Sequence, residues 1–283
     1  MIRTDAWQKQ AIDELQTMLF ANEHVLALAL FGSAISNREP GPSSDSDILV
    51  IVQEEKFQQF YPDIEWLRPF GEVYAIQRFK NEFHGTIRIC FFDFRRFDIL
   101  VTTPPRLDQL DLWKSNPFWQ GAKLLFSRSL DVAKCLTQTW RPPTPTFPSQ
   151  AEFEEMSNNF WFKAMLAGYK VLRNDRLIAS HLTLDLVRDC CVMGMILRDR
   201  ATGTNIHRQG GEGNQLVDGW ENPLTSYSAT NLLDSIEQSS IQFDQLASRW
   251  SETYRERRYP LLEWLGYVRN SMNANFIQPP STT

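Results

Sequence analysis

The chain has 283 residues, 42% of them hydrophobic and 12% aromatic, which is enough material for two packed domains. Lys and Arg number 29 against 34 Asp and Glu, and this net charge of -5 argues against a broad basic surface for nucleic acid. The first ten residues, MIRTDAWQKQ, lack a signal core, and no stretch approaches the roughly 18 apolar residues of a membrane helix. We therefore expect a cytoplasmic protein without a membrane partner.

The four cysteines, Cys90, Cys135, Cys190 and Cys191, show neither a CxxC pair nor His-rich spacing. The adjacent Cys190 and Cys191 cannot easily form a disulfide with each other. We interpret all four as reduced core thiols and expect no zinc.

The first half of the chain has the pattern of a helix followed by a sheet. Ile12, Leu15 and Leu19 recur at helical spacing and predict the helix. Five runs rich in β-branched and aromatic residues predict strands at Val25–Phe31, Ile48–Val52, Val73–Phe79, Ile87–Phe92 and Phe97–Val101. The short polar stretch between the last two runs predicts a hairpin turn.

A proline-rich segment, RPPTPTFPSQ at residues 141–150, has four prolines in ten residues and favours an extended connector. Beyond it the pattern is helical. One stripe contains Phe160, Phe162, Met165, Tyr169 and Leu172. Further helices are predicted through Leu182–Met193, Asn231–Arg249 and Thr253–Val268.

These patterns predict an α+β protein with an N-terminal mixed-sheet domain followed by a C-terminal helical domain. The predicted boundaries are a first domain over residues 1–140, a linker over 141–150, a helical domain over 151–277 and a disordered tail over 278–283.

The most informative stretch is LALALFGSAISNREPGPSSDSDILVIV, from Leu26 to Val52. Side chains alternate faces along a strand, so Asp45 and Asp47 point the same way and their carboxylates converge. Two such carboxylates would repel each other unless a divalent cation lay between them, and aspartate oxygens favour magnesium over zinc. Gly32 lets the chain approach a ligand closely, and the Ser33 hydroxyl can bind phosphate oxygens.

A two-metal site needs a third carboxylate, and Asp98 is the best candidate. It interrupts the otherwise apolar strand Phe97–Val101, where an aspartate is expected to be paired, hydrogen-bonded or functional.

FGS followed by SDSDILVIV, with RFDILV downstream, resembles the nucleotidyltransferase domain of the DNA polymerase beta superfamily. RFDILVTTPPRLDQL, from Arg96 to Leu110, is most similar to the antibiotic nucleotidyltransferases, particularly the aminoglycoside 6-adenylyltransferases. The resemblance implies that the first domain is a nucleotidyltransferase catalytic domain. It also implies that the helical domain contributes to a cleft for nucleotide and substrate.

The resemblance further implies a role for each residue of the motif. Gly32 and Ser33 would hold the triphosphate of ATP, Asp45 and Asp47 would bridge two Mg²⁺ ions, and Asp98 would bind the ion that activates the acceptor. Each of the three aspartates would then be catalytic as well as metal-binding.

The general base is left open between Asp98, Glu72 and Asp93. In related enzymes the helix that opens the second domain can donate a lysine to the triphosphate. Lys170 is our candidate for that contact, and Lys163 lies two turns earlier on the same helix face.

Thr202–Asn214 is a polar, glycine-bearing stretch that contains His207 and Arg208. It is interpreted either as part of an acceptor pocket or as a surface loop.

The function implied is transfer of AMP from magnesium-ATP to a hydroxyl of a small molecule, such as an aminoglycoside-like antibiotic. One alternative is an antitoxin-like enzyme that transfers AMP to a protein. The other is a non-catalytic nucleotide-binding protein on the same fold.

Overall fold

A computed structural model of the chain describes residues 7–35, 45–110, 113, 117–118, 121–138, 146–203, 217, 220 and 226–277. The backbone contacts divide the chain into two compact units, Met1–Thr144 and Pro145–Thr283. Part of the proline-rich segment and the tail from residue 278 lie outside the described residues.

The first unit is a six-stranded mixed sheet with short helices. Its strands are β1 (Val25–Leu30), β2 (Ser46–Val52), β3 (Val73–Lys80), β4 (Gly85–Phe91), β5 (Arg96–Thr102) and β6 (Lys123–Ser127). Their spatial order is β3-β4-β5-β2-β1-β6, with β2 and β5 parallel and every other neighbouring pair antiparallel. The helices of this unit are α1 (Gln8–Ala21), α2 (Pro104–Leu107) and α3 (Leu130–Thr137), with 3₁₀ turns at Gly32–Ile35, Glu54–Gln59 and Glu65–Phe70.

The two faces of the sheet bury different hydrophobic clusters. On β2, Ile48 and Val50 belong to the cluster that contains Leu15 and Leu19 of α1. Leu49 belongs to the opposite cluster, with residues of α2 and α3. Because side chains alternate along a strand, this division places every odd-numbered residue of β2 on the second face.

All five predicted strands and the hairpin turn between β4 and β5 are confirmed, with ends that differ by at most two residues. Sequence analysis missed β6, which pairs only with the outer side of β1. This strand has five residues and is only partly buried, so it lacks the long apolar alternation that reveals a strand.

The second unit is helical, as predicted. It contains α4 (Gln150–Leu172), α5 (Arg176–Thr202), α6 (Ala229–Trp250) and α7 (Arg258–Ile277). A capping box between Ser149 and Glu152 begins α4 immediately after the proline-rich segment. Ser228 caps α6 through its side chain, which accepts a hydrogen bond from the backbone N–H of Asn231. No helix in the described residues is long and apolar enough to cross a membrane.

The predicted apolar stripe of α4 is partly wrong. Phe160 is fully buried, whereas Phe162 is 65% exposed and Tyr169 is 41% exposed. Two residues span about 200° of a helix, so Phe160 and Phe162 lie on opposite sides. The buried face of α4 is instead built from Phe153, Ser157, Phe160, Ala164, Ala167, Gly168 and Val171.

The last helix begins five residues later than predicted, at Arg258 instead of Thr253. Pro260 therefore falls in its first turn, where a missing backbone N–H costs little. The fully buried Asp244 accepts hydrogen bonds from the backbone N–H groups of Arg257 and Arg258. These contacts hold the chain at the point where α7 starts.

The four cysteines are free, but they are not all core residues. Cys190 is buried, Cys90 and Cys135 are half-buried, and Cys191 is exposed. Burial raises the pKa of the Cys190 thiol. Neighbouring residues of a helix point about 100° apart, which is why Cys190 enters the core and Cys191 does not.

Candidate active site

A row of polar residues crosses four strands of the sheet at one register level. Gln77 of β3 is opposite Arg88 of β4, Arg88 is opposite Asp98 of β5, and Asp98 is opposite Asp47 of β2. Residues opposite each other on neighbouring strands project from the same face of a sheet. The row therefore brings two of the three predicted aspartates side by side.

Asp47 lies on the face of β2 that carries Leu49, and it is only 7% exposed. Its backbone carbonyl accepts a hydrogen bond from the N–H of Phe31, the last residue before the Gly32 turn. The turn is thus joined directly to the strand that carries the aspartate.

Gly32 approaches Asp47 more closely than any other residue type could. Its φ is +59°, and a Cβ built on it would lie 2.4 Å from Oδ2 of Asp47. Both the backbone angle and the lack of space require glycine here. Gly32 is packed closely against Asp47 here, and its predicted contact with a ligand stays a prediction. The side chain of Ser33 lies outside what the structure describes.

Asp98 forms an ion pair with its cross-strand neighbour. Nε of Arg88 lies 3.1 Å from Oδ2 of Asp98, and the two side chains are 42% and 18% exposed. The guanidinium of Arg88 also lies over the ring of Phe79, 5.8 Å from its centroid. Arg88 thus lies between an aromatic ring on β3 and the carboxylate on β5.

Asp45 precedes β2 by one residue and has a different partner. Its Oδ2 lies 3.3 Å from Nη2 of Arg96, the first residue of β5. Arg96 and Asp98 are two residues apart on one strand and so share a face. Arginine side chains therefore contact Asp45 and Asp98.

The donor chemistry at this edge of the sheet fits magnesium. Carboxylate oxygens are the hard donors that Mg²⁺ prefers, and two carboxylates on adjacent strands favour a cation near them. In the described part of the chain, no three His, Cys, Asp or Glu side chains form a group that could hold a metal ion. Asp45 and Asp98 each form an ion pair with an arginine instead.

The other two candidate bases lie away from the row. Asp93 is in the turn between β4 and β5, where its Oδ2 accepts a hydrogen bond of 2.7 Å from Nε of Arg95. Glu72 is an exposed residue just before β3. Asp98 is therefore the candidate base that lies beside Asp47.

The two candidate lysines of α4 both have acidic partners within the helical unit. Nζ of Lys170 lies 3.1 Å from Oδ2 of Asp175, whose side chain caps α5. Lys163 lies within reach of Asp185 and Asp189, at 3.4 and 2.8 Å. His207 and Arg208 lie outside the described residues.

Sequence analysis missed Arg88 and Arg96 as members of the site. The sequence contains one indication of Arg88, which is a charged residue between Ile87 and Ile89 on a predicted strand. An exposed arginine on a half-buried strand is ordinary, however, and only the register pairs it with Asp98.

Comparison with protein families shows the class of this protein. The family model described as streptomycin adenylyltransferase matches residues 7–248, which include the sheet, the Gly32 turn, α4, α5 and all but the last two residues of α6. The chain belongs to the streptomycin adenylyltransferase family. It is accordingly a nucleotidyltransferase.

Two solved structures are similar to this member of the family. One is an aminoglycoside 6-adenyltransferase from Bacillus subtilis, with 14% identity, a TM-score of 0.37 and coverage of 94% of this chain and 98% of that chain. The other is a nucleotidyltransferase-like protein from Exiguobacterium sibiricum, with 12% identity, a TM-score of 0.25 and coverage of 97% and 96%. At these TM-scores neither likeness adds to the family match. Comparison with curated proteins found no match.

Proposed function

We propose that this protein transfers an adenylyl group from ATP to a hydroxyl of a streptomycin-like aminoglycoside. The family match supports an adenylyl group as the group transferred and an aminoglycoside as the acceptor. The observation that carries the proposal is the row in which Asp98 lies beside Asp47, with the Gly32 turn against the Asp47 carboxylate. We also propose a cytoplasmic location, where ATP is available, and a role in antibiotic resistance through modification of the drug.

In this proposal the aspartates hold magnesium and the Gly32 turn holds the nucleotide. Asp45 and Asp47 would ligate both ions, Asp98 would ligate one, and Gly32 and Ser33 would bind the triphosphate. Bound magnesium would supply positive charge that lowers the pKa of the acceptor hydroxyl and neutralises the departing pyrophosphate.

The chain's own groups then account for the proton and for the leaving group. The acceptor oxygen forms a bond to the α-phosphorus as the bond from that phosphorus to the bridging oxygen of pyrophosphate breaks. The proton of the hydroxyl passes to Asp98 as general base. Lys170 would offset charge on pyrophosphate if its ammonium reaches the β- or γ-phosphate.

The test is incubation of the full chain with magnesium, labelled ATP and a panel containing streptomycin, other aminoglycosides and a lincosamide. A product heavier by one AMP, together with pyrophosphate release that requires the acceptor, is expected with an aminoglycoside. Asp47→Asn is the negative control.

The same assay separates the alternatives. Label on protein instead of on the antibiotic would indicate an enzyme that adenylylates protein. Binding of ATP without pyrophosphate release for any acceptor would contradict the proposal and indicate a nucleotide-binding protein.

A further inference from the structure

The partner of Asp98 in the polar row has no role in the function proposed above. Arg88 is directly opposite Asp98 in the antiparallel β4–β5 pair, and its Nε contacts Oδ2 of Asp98. Asp47 is opposite Asp98 on the other side, in the parallel β2–β5 pair. Asp98 thus has a cation on one neighbouring strand and a carboxylate on the other.

This arrangement has an electrostatic consequence for Asp98. Neighbouring strands lie about 4.7–4.9 Å apart, so carboxylates on directly opposed residues are close together, and like charges in that position destabilise a sheet. A guanidinium beside Asp98 offsets this repulsion. A carboxylate bound through one oxygen also loses freedom of rotation about its Cβ–Cγ bond, so the direction of its second oxygen is set.

Arg88 is itself held in place. Its guanidinium lies over the ring of Phe79, and Phe79 is opposite Thr86, two residues before Arg88 on β4. The ring is 51% exposed, although large aromatic side chains are usually buried. A cation within about 6 Å of an aromatic ring centroid is attracted to the ring, so Phe79 favours the direction that Arg88 takes here.

We propose that Arg88, held by Phe79, is a positioning residue that orients the Asp98 carboxylate for a divalent cation and for the acceptor hydroxyl. This inference rests on the proposed function, in which Asp98 is both ligand and base. Partners that orient metal ligands are commonly worth about 10–100-fold in metal affinity or activity.

The test compares Arg88→Gln and Arg88→Lys with wild type, and Arg78→Gln is the matched control. Arg78 is an arginine of β3 whose Nε donates to the carbonyl of Pro62, 3.0 Å away, so its substitution removes the same charge from the same sheet. The first readout is the affinity for Mn²⁺, which is measured by electron paramagnetic resonance in the absence of ATP and acceptor. The second is kcat and KM for ATP.

Arg88→Gln is expected to lower Mn²⁺ affinity and kcat by on the order of 10-fold while KM for ATP changes little. The Mn²⁺ affinity and kcat of Arg88→Lys are expected to lie between those of Arg88→Gln and wild type, since an ammonium keeps the charge and lacks the planar donor group. Arg78→Gln is expected to bind Mn²⁺ as wild type does.

Unchanged Mn²⁺ affinity in folded Arg88→Gln would overturn the proposal and make Arg88 a structural residue. Tighter Mn²⁺ binding would also overturn it, because Arg88 would then compete with the metal. Absence of Mn²⁺ binding by wild type would overturn it as well. If the Mn²⁺ results are as expected but no antibiotic accepts AMP, the positioning role stands and the proposed function fails.

Discussion

Gly32 is packed against the carboxylate of Asp47 at the end of the sheet, and the space between them is too small for a Cβ atom. The missing Cβ of Gly32 would lie 2.4 Å from Oδ2 and 3.0 Å from Cγ of Asp47. The turn after β1 and the aspartate on β2 therefore form a single unit. A side chain added at Gly32 must displace the Asp47 carboxylate.

The first prediction concerns the close approach at Gly32. Gly32→Ala is expected to displace the Asp47 carboxylate, to abolish binding of Mn²⁺ and to abolish AMP transfer. The positive φ adds a cost of about 1–2 kcal/mol in the free energy of unfolding. Titration with Mn²⁺ and thermal unfolding measure the two effects.

Gly203→Ala is the matched control for that substitution. Gly203 has a φ of +67°, close to the +59° of Gly32, but a Cβ there would meet no atom of the described residues within 4 Å. The Gly203→Ala variant is expected to lose about as much stability through its positive φ as Gly32→Ala does, and to keep full activity. Wild-type Mn²⁺ binding by Gly32→Ala would show that the contact with Asp47 has no part in the site.

The second prediction concerns the charge of Asp47. Asp47→Asn keeps the shape of the side chain and removes the charge, so the fold is expected to remain and turnover to fall about 100-fold or more. Steady-state kinetics with the best acceptor measure the loss. Asp13→Asn on the exposed side of α1 is the control, with unchanged turnover. Near-normal turnover of Asp47→Asn would rule out the mechanism.

The third prediction concerns stabilisation by magnesium. A ligand at 100 times its dissociation constant stabilises the folded state by about 2.7 kcal/mol, so saturating Mg²⁺ is expected to raise the Tm of wild type. The Tm of Asp47→Asn is expected to stay unchanged under the same conditions. Treatment of wild type with EDTA is expected to stop transfer, and excess Mg²⁺ to restore it. Equal Tm shifts in wild type and Asp47→Asn would indicate that the ion binds at a site that does not include Asp47.

The fourth prediction concerns Lys170. If its ammonium binds the triphosphate, Lys170→Ala lowers kcat and raises KM for ATP together. Lys163→Ala is the control, because Lys163 is on the same helix and also has acidic partners. If Lys170 only forms its ion pair with Asp175, Lys170→Ala keeps the kinetic constants of wild type. Its free energy of unfolding then falls by about 0.2–1 kcal/mol.

The elements of this protein could largely be predicted from local pattern. Alternating or continuous apolar runs revealed β1 to β5, and helical spacing revealed the long helices. The pattern failed where local signals were weak, as for the five-residue β6, or where backbone contacts from Asp244 decided the start of α7.

The sequence by itself indicated the aspartates and the glycine of the site, but not its two arginines, and it determined which residues of one strand share a face. The alternation along β2 follows from backbone geometry alone, as does the need for glycine in a tight turn beside a strand. The tertiary structure alone decided that Asp98 lies between Asp47 and Arg88, and that Asp45 contacts Arg96. The physical reason is that strand order and register depend on packing between segments distant in sequence, and a shift of one residue would place every side chain on the other face.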